Sequence, residues 1–164
     1  MKLPQRAVLI VLLSAACVGC DRLGKVLARQ ALSESDKLSY LNDIFRLQYM
    51  ENQGAFLSIW SNASENFRFW FFIISVGLFL AGVLIFLLTS KKISGAETAG
   101  LSLILGGGIG NLIDRVFNDG HVIDFMNVGI GSLRTGVFNV ADIAISVGGV
   151  LLLACAFKNR ETAS

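Results

Sequence analysis

The chain has 164 residues, of which 54% are hydrophobic and only 16% are charged, and its mean hydropathy is +0.64. Soluble domains carry about 25% charged residues, so this composition excludes an ordinary soluble domain and predicts a membrane protein. A net charge of +2, without a basic stripe between aromatic residues, argues against nucleic-acid binding. Cys17, Cys20 and Cys155 all lie in apolar runs, and we expect neither a disulfide framework nor a metal site from them.

The first apolar segment has two possible fates. Residues 11–22 are VLLSAACVGCDR, in which small residues surround two cysteines as they do at the cleavage site of a bacterial lipoprotein precursor. Such a site usually has Leu or a similar apolar residue three positions before the cysteine, whereas this chain has Ser14 and Cys17 there. We therefore expect a retained first span over about residues 7–28 rather than a cleaved leader.

Three more apolar segments follow along the chain. Residues 69–90 contain 22 residues without a charge, which is enough to cross the ~30 Å hydrocarbon core of a bilayer. A glycine-rich span is predicted over about residues 96–114, and a last span, interrupted only by Asp142, over about residues 137–157. Gly106 and Gly110 form a small-xxx-small pair, which predicts close packing of the third span against another helix.

The basic residues predict the orientation of these spans. They lie in pairs at the start, the middle and the end of the chain: Lys2 and Arg6, Lys91 and Lys92, Lys158 and Arg160. With four spans, the positive-inside rule puts all three pairs and both termini in the cytoplasm. Three spans, with the first segment removed, would still leave the Lys pair and the carboxyl terminus there. Of the two outer regions that remain, about 31–67 and about 115–136, the first alternates apolar and polar residues in short stretches. It predicts a small strand-rich platform on the outer membrane surface.

This orientation brings unusual polar residues to one depth, near the outer face. They lie at the ends of the spans and in the outer regions: Asp21, Lys25, Asn52, Asn111, Asp114, Arg115, Asp124, Asn139 and Asp142, with Gly54 beside Asn52 in the first outer region. Intramembrane carboxylates are costly and usually mark a pathway or a site. Structural roles are also open: Asp142 could be an acid of a first helical turn, and Asp21 could form a helical ion pair with Lys25, four residues on.

A pair of such carboxylates has a specific chemical use. Two Asp side chains that share a site do not both ionise readily, so one keeps a proton while the other acts as a base toward water. The pair can then activate water against an amide without a metal or a nucleophilic side chain. The chain has no HExxH motif, and SLILGGGIGN (102–111) does not fit GxGxxG, so we expect no cofactor.

Five stretches resemble motifs of the lipoprotein signal peptidase family, the type II signal peptidases of bacteria. They are DRLGK (21–25), NQGAF (52–56), GGGIGNLIDRV (106–116), HVIDF (121–125) and FNVADIAI (138–145). The resemblance covers nearly the whole chain and implies one membrane peptidase domain over residues 1–164. The fold class expected is an α-helical integral membrane protein, with four transmembrane helices and a small strand-rich platform outside the cytoplasm.

The resemblance also implies an activity and a localisation. The family consists of aspartyl endopeptidases of the bacterial inner membrane. They remove the signal peptide of prolipoproteins by cutting before a cysteine that already carries diacylglycerol. The implied partners are therefore diacylglyceryl-modified prolipoproteins and membrane lipids, and the protein is expected to be a monomer without a cofactor or a nucleic-acid partner.

Individual roles carry over by motif. The catalytic dyad would be Asp124 and Asp142. Substrate binding and support of the site would fall to the remaining matched residues: Asn52, Gly54, Asn111, Asp114, Arg115, Asn139, Asp21 and Lys25. Among these, Arg115 and Asn139 would contact substrate or orient the dyad.

Two other classes of protein compete with this interpretation. A small transporter subunit that couples to protons or ions would use the intramembrane Asp residues as a relay, and it predicts acids spread through the depth of the membrane. A lipoprotein or assembly factor with a cleaved leader predicts a mature chain that starts at Cys17 or Cys20.

Overall fold

Four helices in the described part of the chain are long and apolar enough to cross a membrane, which confirms the predicted fold class. The computed structural model describes residues 2–32, 36–52 and 64–161. The helices are α1 (Leu3–Ala31), α2 (Glu65–Thr89), α3 (Gly95–Phe117) and α4 (Val140–Glu161). The end of the bundle where α1 and α3 finish, and where α2 and α4 begin, carries a β-sheet. We call it the sheet end.

Local sequence explains where helices begin. In α3, the Ser94 hydroxyl accepts the backbone N–H of Glu97 (3.2 Å), and the Glu97 carboxylate accepts that of Ser94 (2.8 Å). This reciprocal capping satisfies donors that a helix start leaves without intrahelical partners. A contact from another helix marks the carboxyl end of α2. There the buried Arg6 of α1 donates to the carbonyl oxygens of Leu88 (3.0 Å) and Ser90. A cation is favoured there because the helix dipole is negative at its carboxyl end.

Glycines let α3 lie directly against α1. A Cβ atom on Gly106 would stand 2.8 Å from the Cα of Ser14, and one on Gly110 would stand 2.8 Å from the Asp21 carboxylate. Both distances are too short for a real side chain, so the close approach requires glycine. The small-xxx-small pair read from the sequence therefore faces α1, as its prediction of close helix packing requires.

The sheet is antiparallel throughout, with its strands in the order β1-β2-β3-β4. Its strands are β1 (Lys37–Tyr40), β2 (Phe45–Asn52), β3 (Val122–Ile130) and β4 (Leu133–Arg134). Only β1 and β2 come from the region predicted as the platform, because β3 and β4 belong to the second outer region. The N–H groups of Phe125 and Met126 donate to the carbonyl oxygen of Phe138, so β3 is fixed to the segment that enters α4.

The sheet packs on the last turns of α1. Phe125 of β3 is buried in a cluster with Ala28 and Leu32, and Tyr49 of β2 packs against that cluster. The burial of an aromatic side chain of this size contributes about 1.5–3 kcal/mol. This contact fixes the face of β3 that looks toward α1, and with it the opposite face, which carries Asp124.

Candidate active site

The polar residues predicted for the site lie together at the sheet end. The described ones are Asp21, Lys25, Asn52, Asn111, Asp114, Arg115, Asp124, Asn139 and Asp142. Gly54 lies outside the described residues. The topology explains the convergence, since α1 and α3 end at this level, α4 begins there, and β2 and β3 pass beside the helix ends.

Asp124 is held by two neutral amide groups. Its side chain projects from β3 and is only 1% exposed as a residue. Oδ1 accepts a hydrogen bond from Asn139 Nδ2 (2.6 Å), and Oδ2 accepts one from Asn52 Nδ2 (2.8 Å). Burial raises the pKa of Asp124 to about 6, and the nearby charge of Asp142 adds to this, although the two amide hydrogen bonds oppose the rise.

Asp142 is fixed by the start of α4. Its backbone N–H donates to Asn139 Oδ1 (2.9 Å), and its Oδ2 accepts the backbone N–H of Asn139 (3.1 Å). This reciprocal cap places the carboxylate in the first turn of α4, where the helix dipole favours negative charge. Its other oxygen, Oδ1, accepts a hydrogen bond from Asn111 Nδ2 (2.9 Å).

Two asparagines connect the two carboxylates. Asn139 Nδ2 lies within hydrogen-bond distance of Asp124 Oδ1 and also of Asn111 Oδ1 (3.0 Å). Asn111 in turn donates to Asp142. Asp124 and Asp142 are thus held beside each other through amide groups that carry no charge.

A separate ion cluster lies behind this pair. The ammonium of Lys25, which is buried, contacts Asp21 Oδ2 (2.6 Å), Asp114 Oδ2 (2.7 Å) and Asn111 Oδ1 (3.1 Å). Arg22 forms a second ion pair with Asp114. Buried charges need such partners, because an unpaired one carries a large desolvation cost.

The two carboxylates of the ion cluster also hold the backbone beside Asp124 and Asp142. Asp114 Oδ2 accepts the N–H of Ile123 (3.1 Å), the residue before Asp124. Asp21 Oδ1 accepts the N–H of Ala141 (3.0 Å), the residue before Asp142. Because Lys25 contacts both of these carboxylates, one ammonium group helps to fix the backbone beside Asp124 and the backbone beside Asp142. We refer to Asp21, Lys25 and Asp114 as the clamp.

Arg115 supplies a further positive charge near the pair. It is half-buried, and its guanidinium lies 3.4 Å from the carbonyl oxygen of Asn111. Its charge acts on Asp114, Asp124 and Asp142. Within residues 2–32, 36–52 and 64–161, no group of three or more His, Cys, Asp or Glu side chains is arranged to hold a metal ion.

Some participants were not anticipated from the sequence. Arg22 follows Asp21 directly, and no spacing rule pairs it with Asp114 in another helix. Ile123 and Ala141 take part through backbone N–H groups, which leave no trace in the amino-acid type. The one available signal was their position immediately before the two predicted dyad residues.

Known proteins are similar to this chain over most of its length. The signal peptidase (SPase) II family matches residues 13–158. The lipoprotein signal peptidase of Geobacillus thermodenitrificans is 33% identical, over 90% of this chain and 88% of its own. That of Brevibacillus brevis is 34% identical over 87% and 91%, and that of Syntrophotalea carbinolica is 38% identical over 94% of each.

Solved structures agree at the level of the fold. A structure described as a bacterial membrane enzyme superposes with a TM-score of 0.80, at 23% identity, and covers 94% of this chain and 91% of its own. A second one gives a TM-score of 0.79 at 24% identity. The four spanning helices make the chain a multi-pass membrane protein. The family match and the curated relatives show that it is a protease and belongs to the signal peptidase II family.

Proposed function

We propose that this protein is an aspartyl endopeptidase in which Asp124 and Asp142 form the catalytic dyad. It removes signal peptides from diacylglyceryl-modified prolipoproteins by cutting before the lipidated cysteine. Membership of the family supports the cleavage of lipoprotein signal peptides by a membrane protease. The choice of these two carboxylates rests on an observation of the site itself.

That observation is the chemical nature of the hydrogen-bond donors. Asp21 and Asp114 both form ion pairs with the Lys25 ammonium. Within the described residues, Asp124 and Asp142 accept hydrogen bonds only from side-chain amides and a backbone N–H, and neither forms an ion pair. A carboxylate with neutral donors remains able to take up and release a proton, as acid–base catalysis requires.

The surrounding charges favour one proton on the dyad. In the ion cluster, the two negative charges of Asp21 and Asp114 are matched by the positive charges of Lys25 and Arg22. Arg115 adds one positive charge whose field reaches the pair. A dyad that carries one negative charge and one proton balances Arg115, which suits a buried site.

The proposed dyad hydrolyses the peptide bond in two steps. The ionised Asp takes a proton from water as the water oxygen attacks the carbonyl carbon of the scissile bond. The protonated Asp gives its proton to the carbonyl oxygen. When the tetrahedral intermediate collapses, the first Asp returns its proton to the leaving nitrogen and the carbon–nitrogen bond breaks. The second Asp recovers its proton from the diol oxygen.

The other predicted residues take supporting roles. Asn111 and Asn139 orient the carboxylates, Asn52 and Gly54 present polar groups to the substrate, and Arg115 stabilises the negative charge of the dyad. We place the protein in the bacterial inner membrane as a monomer, with both termini in the cytoplasm and the sheet end at the outer face. The basic residues Lys91 and Lys92 lie between α2 and α3, at the opposite end from the sheet, which favours this orientation.

A reconstituted cleavage assay tests the proposal. The purified protein should release the signal peptide from a diacylglyceryl-modified precursor, and it should not cut the same precursor without the lipid. Asp124→Asn and Asp142→Asn should each abolish cleavage, while Asp119→Asn, on an exposed loop residue, should leave it unchanged. Retained cleavage by either dyad variant would contradict the assignment.

A further inference from the structure

One apolar side chain lies directly beside Asp124 and stays open to the surroundings. In the register of the sheet, Met50 of β2 is the partner of Asp124 of β3. Directly opposed residues of an antiparallel pair project from the same face, with Cβ atoms about 4.5–5.5 Å apart. The side chain of Met50 is therefore an immediate neighbour of the proposed catalytic carboxylate.

Two contacts establish from which face of the sheet Met50 projects. Asn52, two residues after Met50, donates to Asp124 Oδ2 at 2.8 Å, and residues two apart in a strand share a face. On the opposite face, Tyr49 and Phe125 pack in the cluster against α1. Met50 thus belongs to the face of the sheet that carries Asp124 and Asn52.

The exposure of Met50 differs sharply from that of its neighbours. Asp124 is 1% exposed and Asn139 is fully buried, whereas Met50 is 44% exposed. Its backbone is held in the sheet while its thioether side chain has room to move. A methionine adapts its shape to apolar groups of different size, and for this reason it is common at binding surfaces.

We propose that Met50 forms a wall of the substrate cleft and limits the size of the side chain that precedes the scissile bond. This inference rests on the proposed function, in which the residue after the cut is always the lipidated cysteine. The residue before the cut is then the variable neighbour of the reacting carbonyl group. The carbonyl group that the dyad attacks belongs to that residue, so its side chain is attached next to the reacting carbon, beside Asp124 and its strand partner Met50.

The test compares precursors that differ only in the residue before the lipidated cysteine, with Ala, Val or Leu at that position. The unsubstituted protein should prefer Ala. Met50→Ala should raise kcat/KM for the Leu precursor, relative to the Ala precursor, by about tenfold or more, because a size difference in an apolar pocket is worth about 10–200-fold. Met50→Phe should lower the same ratio, and Met50→Leu should change it by less than about threefold, since Leu and Met have similar volumes.

Leu133→Ala serves as the matched control. Leu133 is an apolar residue of the same sheet that is 83% exposed, and it lies in β4, at the end of β3 away from Asp124. It should leave the ratio unchanged. If Met50→Ala and Met50→Phe cleave the Ala precursor normally and keep the ratio of the unsubstituted protein, the role of Met50 is wrong while the proposed function stands. If the unsubstituted protein cleaves none of the precursors, the proposed function fails and the role of Met50 fails with it.

Discussion

Two aspartates of the same small sheet have opposite environments. Asp43, at the turn between β1 and β2, is paired with the guanidinium of Arg46 and accepts the Ser39 hydroxyl at 2.7 Å. These contacts, of which the one with Arg46 is the stronger, hold its pKa well below the ordinary value. Among the described residues Asp124 has amide donors instead of a cation, and burial raises its pKa to about 6. Donor type and burial together decide which carboxylate can exchange a proton near neutral pH.

The same contrast recurs at the ends of the helices. Asp21 and Asp114 are buried like Asp124, yet both contact the ammonium of Lys25, and their remaining hydrogen bonds fix backbone. Asp142 has no such cation among the described residues. We therefore expect the carboxylates paired with cations to carry structure here, and those held by neutral donors to do the chemistry.

Removal of the Lys25 ammonium from the clamp should have the largest effect, on stability and on cleavage alike. Lys25→Met leaves Asp21 and Asp114 facing each other without their shared ammonium. The loss of one partner from a buried ion pair costs about 3–5 kcal/mol, and both backbone contacts beside the dyad should loosen. We expect a large drop in the free energy of unfolding in detergent and a loss of cleavage, measured on the same preparation.

Arg29→Met is the matched control for this variant. Arg29 lies one turn further along α1 and is exposed, so its replacement removes a cation of the same helix without touching the clamp. An unfolding curve for Lys25→Met that coincides with that of Arg29→Met would show that the clamp does not hold the site together.

An intermediate effect is expected from the loss of a neutral donor. Asn52→Ala removes the hydrogen bond to Asp124 Oδ2. A donor to a carboxylate favours the charged form, so its loss should raise the pKa of Asp124 further above its present value of about 6. The limb of the pH–rate profile that depends on this ionisation should move to higher pH, although the limb reports the coupled pair rather than one residue.

The direction in which the pH–rate profile moves decides whether Asn52 has this role. Asn66→Ala, on an exposed residue in the first turn of α2, should leave the profile in place. A shift of the Asn52→Ala profile to lower pH would contradict the role of the amide, because no loss of a donor makes a carboxylate easier to ionise. An unchanged profile would show that Asn52 does not control the ionisation of Asp124.

The four helices can be predicted from the sequence more completely than the sheet can. Hydropathy and paired basic residues encode the four spans directly, since a bilayer demands long apolar segments. The first four residues of β3, Val122–Phe125, are all buried, so the alternation that normally indicates a strand is missing. For this reason the sequence predicts strands over residues 31–67 alone and gives no sign of β3 and β4.

The candidate site shows a similar limit. Its side chains could be gathered from the sequence because span ends and orientation place them at one depth. The sequence does not show which of these carboxylates are paired with cations and which are held by neutral donors. That difference depends on which helix each cationic side chain reaches in the folded protein. Asp21 and Lys25 are four apart and could be paired by rule, but the contact of Lys25 with Asp114 and the register of Met50 with Asp124 are tertiary.

The smallest effect is expected at the exposed carboxylate of the comparison. Asp43→Asn breaks the pair with Arg46 at a site where the side chain is 42% exposed. Exposed ion pairs contribute little and are screened by salt, so the unfolding transition should barely move at low salt and should coincide with that of the unsubstituted protein at high salt. Cleavage should be unchanged at every pH tested, because no proton of Asp43 enters the reaction. A loss of cleavage comparable to that of Asp124→Asn would contradict the rule drawn from the two aspartates, since it would place a carboxylate paired with a cation among those that do chemistry.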